Sequence, residues 1–182
     1  MFSFLLWSYL FVDANAAQIG EYARVFSLPA VNDSVAMEQF GTTQVGSSLF
    51  VGLNPTQKTS ALVIYFFDLS SGKSFVEGLV ALQEDYKERG VHLVLICTES
   101  GPMGPISSWV ASEIIDIPVL RDKYHIVKSN YEVSSGAEAF VIDPLGRVFS
   151  NASLRSNSDI RDLRKRVEEL VHQVEMGEIT PD

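Results

Sequence analysis

Asp68-Leu69-Ser70-Ser71-Gly72-Lys73-Ser74 is the segment of this chain whose residue types and spacing are able to do chemistry. A serine hydroxyl there can act as a nucleophile only beside a base. The histidines, His92, His125 and His172, fall in one strand pattern and two helical patterns, none in a triad context. Gly72-Lys73-Ser74 between a strand and a helix also suggests a phosphate loop. The full motif places glycine five residues before Gly72, where this chain has Phe67. A glycine there lets the backbone wrap phosphates and a phenylalanine does not, so a small anion on the helix N-terminus is the more plausible form. The single cysteine, Cys97, excludes an internal disulfide, a dithiol mechanism and a Cys-based metal site. It is either a lone redox thiol or a buried small hydrophobe, and its place in Leu93-Val94-Leu95-Ile96-Cys97 favours the second. No His-x-x-x-His pair or acidic cluster suggests a metal.

The elements that must position this segment follow from periodicity. Leu62 to Phe67 is continuously apolar, rich in β-branched and aromatic residues, and reads as a strand covered on both faces. Phe75, Leu79, Leu82 and Tyr86 share one helical face, so Phe75 to Arg89 reads as an amphipathic helix. Ser74-x-x-Glu77 has the form of a capping box, and Gly90 supplies the stop. Val91 to Cys97 is a second buried strand, and strand, helix and strand at this spacing imply a crossover in a parallel sheet. Short apolar runs at Val25 to Leu28 and Ser48 to Val51 suit edge strands or a hairpin. After the loop Gly101 to Pro105, the pattern gives a short helix over Ile106 to Ile115. An edge segment containing Pro118 follows, then a helix over Arg121 to Tyr131. A hairpin over Ala139 to Ser150 turns at Pro144 to Gly146. The last helix, about Asp159 to Met176, carries the stripe Ile160, Leu163, Val167, Leu170, Val174 and ends at Gly177. Its Arg161 to Arg166 cluster reads as a solvated face balanced by Glu168, Glu169 and Glu175.

At 182 residues, 46% hydrophobic and 20% charged, the chain is an ordinary globular domain. A formal charge of −9 argues against nucleic acid, which needs clustered Lys and Arg. Met1 to Val12 is apolar but short for a membrane span, and Ala14-x-Ala16 fits the small-residue rule for cleavage. Residues 1–17 therefore read as a signal peptide, departing from the pattern only in lacking an early Lys or Arg. The expected division is 1–17 leader, 18–154 main domain and 155–182 a C-terminal helix packed on it, with no later transmembrane span. Asn32-Asp33-Ser34 and Asn151-Ala152-Ser153 match the glycosylation acceptor pattern, relevant only in a eukaryotic secretory setting.

From about Gly20 to Ser150 the chain resembles the thioredoxin-like redoxins: the TlpA-type envelope thiol–disulfide oxidoreductases and, more distantly, the peroxiredoxins of the AhpC/TSA type. The resemblance is carried by Gly20 to Pro29, Leu62 to Phe67, Val91 to Ser100, Ile117 to Asp122 with Tyr131-x-Val133, and Phe140-Val-Ile-Asp143-x-x-Gly146-x-Val148. It implies an α/β sandwich with a central mixed sheet flanked by helices. It also implies that Ser71 and Ser74 stand where relatives keep a Cys-x-x-Cys pair, with Gly72 and Lys73 between them. Ala137 stands where relatives keep a cis-proline, and a non-proline cis bond costs about 2.5–4 kcal/mol, so this loop is expected to be trans.

Thiol exchange needs a thiolate, and a serine hydroxyl has no comparable acidity. The resemblance therefore implies an exported, redox-inactive binding or assembly module of the periplasm or cell envelope, with protein partners and no cofactor. The expected contact edge comprises Asp68, Ser70, Pro102, Pro105, Trp109, Gly136 and Glu138 around the altered motif. The alternatives are an oxidoreductase working through Cys97, and anion or nucleotide recognition over Ser71 to Ser74.

Overall fold

The two continuously apolar runs become the centre of the sheet because their backbones can hide only by pairing with strands on both sides. In a computed structural model that describes residues 17–52, 58–113 and 115–179, they are β3 (Ala61–Phe67) and β4 (Val91–Cys97), paired in parallel. Every residue of β3 is buried. The chain opens with β1 (Ser27–Pro29), α1 (Asp33–Phe40) and β2 (Gln44–Gly46), and β1 pairs with β2 in a separate antiparallel ribbon. After β3 come α2 (Val76–Tyr86), β4, α3 (Met103–Ser112), β5 (Val119–Arg121) and α4 (Ile126–Asn130). The chain finishes with β6 (Ala137–Ile142), β7 (Val148–Ser153) and α5 (Asn157–Glu175). The main sheet runs β5-β4-β3-β6-β7, with β6 and β7 antiparallel, so it is mixed as expected.

Side chains alternate across this sheet, and helices cover both faces. Val63, Tyr65, Phe67, Leu95 and Cys97 pack under α2, α3 and α5, whose Leu79, Leu82, Ile106, Leu163, Val167 and Leu170 are buried there. Leu62, Ile64, Phe66, Phe140 and Ile142 pack on the other face against Phe26, Ala36, Val45, Val127 and Tyr131. Arg89 grips Glu175 with two bonds of 2.8 Å, tying the end of the α2 segment to the end of α5. Gly90 turns the chain with φ 80, a conformation that favours glycine. Asp143 and Gly146 close the expected hairpin, Asp143 Oδ1 accepting from the Arg147 amide at 2.8 Å.

Four boundary expectations are corrected, and one helix was missed. Ser48 to Val51 is not a strand: Ser47–Leu49 is a 3-10 turn, and the strand opposite β1 is Gln44–Gly46. α1 was not legible, because it buries only Ala36 and has no apolar stripe. The Ser74–Glu77 capping box does not form, since Lys73–Phe75 is a 3-10 turn and α2 begins at Val76. The box is instead at α5, where Ser156 and Asp159 cap each other's backbone. α3 starts at Met103 rather than Ile106, because Pro105 falls in a first turn that needs no amide from it. α4 starts only at Ile126, because Arg121 belongs to β5 and the Asp122 carboxylate accepts from the amides of Ile126 and Lys128. The expected leader lies outside the described residues apart from Ala17, which is buried. Ser156→Ala removes the α5 cap and is expected to cost about 1 kcal/mol, read as a shifted denaturant midpoint with unchanged slope.

Candidate functional site

β3 ends at Phe67, and the chain then folds back on the carboxylate of Asp68. Asp68 Oδ1 accepts four bonds: from the Ser70 amide at 2.9 Å and hydroxyl at 2.7 Å, and from the Ser71 amide at 2.7 Å and hydroxyl at 2.8 Å. Burial works to raise the Asp68 pKa, but the bonds from Ser70 and Ser71 outweigh it and leave it below the usual carboxylate value. The turn is closed by the Gly72 amide donating to the Asp68 carbonyl at 3.1 Å and by Tyr65 Oη donating to the Gly72 carbonyl at 2.8 Å. Burial, then the charge of Asp68, pushes the Tyr65 phenol well above its ordinary range.

The loop before β6 seats against this turn. The Asp68 amide donates to the Gly136 carbonyl at 3.2 Å. A Cβ at Gly136 would overlap Ser71 Oγ and Asp68 Oδ2, and one at Gly72 would overlap Phe67 and the Gly136 carbonyl. Both glycines are needed for close approach. Peptide bonds among the described residues are trans, so Ala137 follows the ordinary geometry.

The residues expected to share one edge divide into four groups. Asp68, Ser70, Ser71, Gly72 and Gly136 interlock as above. Lys73, Ser74 and Trp109 line a cleft of about 470 Å³ between α2 and α3, with the Trp109 ring 5.2 Å from that of Phe67. Pro102 and Pro105 are exposed at the start of α3. Glu138 pairs in register with Phe66 and so belongs to the opposite face of the sheet, with Ser135 Oγ at 3.4 Å. Sequence reasoning missed the organising role of Asp68, although Asp-x-Ser-Ser is an Asx-turn pattern. It also missed Glu77, Glu113 and Asp116, which line the same cleft.

The arrangement speaks to each chemistry. The Ser71 hydroxyl donates to a carboxylate and not to a histidine; His92 Nε2 lies 3.0 Å from the Lys58 carbonyl and His125 Nε2 lies 2.7 Å from that of Thr98. The amides of Ser70 and Ser71, which a bound anion would need, are held by Asp68, whose own charge opposes an anion. Cys97 is fully buried beside Phe67, and burial pushes its thiol up to about 11. Only about one thiol in ten thousand is then ionised at neutral pH. Among the described residues no group of three or more His, Cys, Asp or Glu could hold a metal. A larger cavity, about 790 Å³ and lined by Leu62, Ile142 and Arg147, lies at the opposite end of the sheet.

No family model matches the chain, and no curated protein matches it in sequence. Solved structures do. A Chlorobium tepidum protein assigned as a thiol:disulfide interchange protein DsbE superposes with a TM-score of 0.70 and 19% identity, over 86% of this chain and 99% of its own. A secreted disulfide oxidoreductase of Mycobacterium tuberculosis gives a TM-score of 0.59 at 14% identity, over 79% of this chain and 95% of its own.

The chain has a thioredoxin-like fold.

The mitochondrial 2-Cys peroxiredoxin of Plasmodium falciparum extends the likeness, with a TM-score of 0.64 and 16% identity over 90% of this chain and 100% of its own. The thioredoxin-like scaffold is thus retained in a chain whose one cysteine is the buried last residue of β4, paired with Phe67 and outside the strand–helix junction itself. Native Cys97 is accordingly expected to react with an aromatic disulfide reagent only as fast as the protein unfolds, with one equivalent released in denaturant. Prompt reaction in buffer would reinstate the lone-thiol chemistry.

Proposed function

We propose that this thioredoxin-like protein is a redox-inactive binding module of the cell envelope. One observation carries this: Ser71, at the first motif position, spends its hydroxyl on Asp68, so the motif is a built structural turn with no thiol to exchange. Fold alone does not fix function, and the weight falls on the site. Export through residues 1–17 is part of the proposal; it is supported by the apolar opening and by the small residues at Ala14 and Ala16. No helix among the described residues is long and apolar enough to cross a membrane.

Two measurements test the proposal. In an insulin-reduction assay with dithiothreitol, the protein is expected to leave the rate at that of buffer. A photo-crosslinking residue at Ser70, whose side chain is exposed, is expected to capture a discrete partner from native envelope extracts. Turnover of disulfides would end the inert assignment. Crosslinking no different from that of a residue at Asn151, on β7, would end the binding assignment.

A further inference from the structure

We propose that the cleft between α2 and α3 docks a cationic amphipathic segment of a partner protein. The inference rests on the binding-module reading and names the partner's chemistry. Val76, Val80 and Trp109 give the cleft an apolar floor, and Trp109 is held from behind by the Phe67 ring at 5.2 Å. A half-buried tryptophan fixed in this way is the kind of anchor that dominates protein interfaces. Glu77, Glu113 and Asp116 supply carboxylates to the lining, and Lys73 is the one cation among the described lining residues, so three negative charges face one positive.

The nearby cations are engaged elsewhere. Lys87 bonds Glu84, Arg89 bonds Glu175 and Arg164 bonds Asp85. None of Glu77, Glu113 and Asp116 enters an ion pair among the described residues, although the charge of Asp116 reaches Lys87 through space. The three carboxylates stand on α2, at the end of α3 and on the strand approach to β5, and they form no metal-holding group. Spread charge over an apolar floor suits a chain segment presenting Lys or Arg beside apolar side chains, with a cation able to lie over the Trp109 ring. The cleft is continuous with the altered motif, because Lys73 and Ser74, just before α2, are among its lining residues.

The test is fluorescence anisotropy on the full chain with a labelled Leu/Lys amphipathic peptide and its Leu/Glu counterpart. The Leu/Lys peptide is expected to bind and the Leu/Glu peptide to show no saturation. The combined variant Glu77→Gln, Glu113→Gln, Asp116→Asn is expected to weaken binding by about tenfold or more. A charge-matched control, Glu88→Gln, Glu168→Gln, Glu178→Gln, is expected to change it by less than about twofold. Trp109→Phe, which keeps a ring against Phe67, is expected to weaken binding by about threefold or more. Equal weakening by the two charge sets would overturn the inference, since general attraction to an acidic chain would explain the binding; so would equal binding of the Leu/Glu peptide. Absent Leu/Lys binding with an inactive insulin assay and intact Ser70 crosslinks sinks the cleft alone. A positive insulin assay sinks the parent reading.

Discussion

Phe66→Ala is expected to cost about 3–5 kcal/mol, and to lower the melting temperature by about 6–20 °C for a chain of this size. Phe66 is fully buried on the face of β3 opposite α2. Its ring lies 5.3 Å from Tyr131 and 5.8 Å from Phe140, and those two rings meet edge-on at 5.0 Å. Tyr131 reaches further, donating through Oη to the Arg24 carbonyl at 2.8 Å and meeting Phe26 at 6.5 Å. Phe66 therefore backs the Tyr131 ring, through which the central sheet, the segment after α4 and the N-terminal layer are joined. Removing the ring deletes its buried area and leaves a cavity that strands on both sides cannot collapse to fill. Phe66→Leu is expected to cost less than half as much, and Phe149→Ala, on the half-buried edge strand β7, less again. Chemical denaturation of the three variants checks the order. A Phe66→Ala loss below about 1 kcal/mol would mean that this ring does not tie the sheet to the layer packed on its face.

What was legible in the sequence was whatever a local pattern encodes. β3 and β4 are seven-residue apolar runs, and α5 buries Leu163, Val167 and Leu170 at helical spacing. Both patterns survive any tertiary context because they demand burial on known sides. α1 escaped because Ala36 alone is buried, so the helix is fixed by what flanks it: Asn32 Oδ1 accepts from the Val119 amide at 2.9 Å, and Asn32 Nδ2 donates to the Ile117 carbonyl at 2.7 Å. Those partners lie more than eighty positions away in the chain.

The candidate site divides the same way. That the junction holds serines, and that only one cysteine exists, is readable by counting. That Gly136 must lack a side chain because Asp68 and Ser71 occupy its space is a long-range fact with no local signature. Glu138 was placed on the altered edge by the resemblance; in the fold it pairs with Phe66, whose side chain lies on the face opposite α2, a cross-strand register that no local pattern states. The cleft acids Glu77, Glu113 and Asp116 could not have been grouped, because helix packing alone brings them beside one groove.

Asp68→Ala is expected to destabilise the protein by about 1–3 kcal/mol at neutral pH and to loosen the turn over residues 68–72. Four donors from Ser70 and Ser71 lose a charged acceptor, and the amides among them turn to water. Access to solvent limits the cost, since Ser70 and Ser71 are exposed. Asp68→Asn keeps an acceptor oxygen and is expected to lose roughly half as much or less. The pH dependence separates this account from simple loss of packing. The folded pKa of Asp68 lies below its ordinary 3.8, so its contribution is fully present above that value and fades as the pH falls below it. The gap between wild type and Asp68→Ala should therefore narrow steadily under acid, while the wild type also loses stability below about pH 6.5 as His92, held neutral by burial, resists its proton. That second loss is common to both proteins and cancels in the difference. Hydrogen exchange at the Ser70 and Ser71 amides supplies the local readout, with faster exchange in Asp68→Ala and protection largely restored in Asp68→Asn. A gap between wild type and variant that stays constant from neutral pH into strong acid would show that the carboxylate charge does not hold the turn.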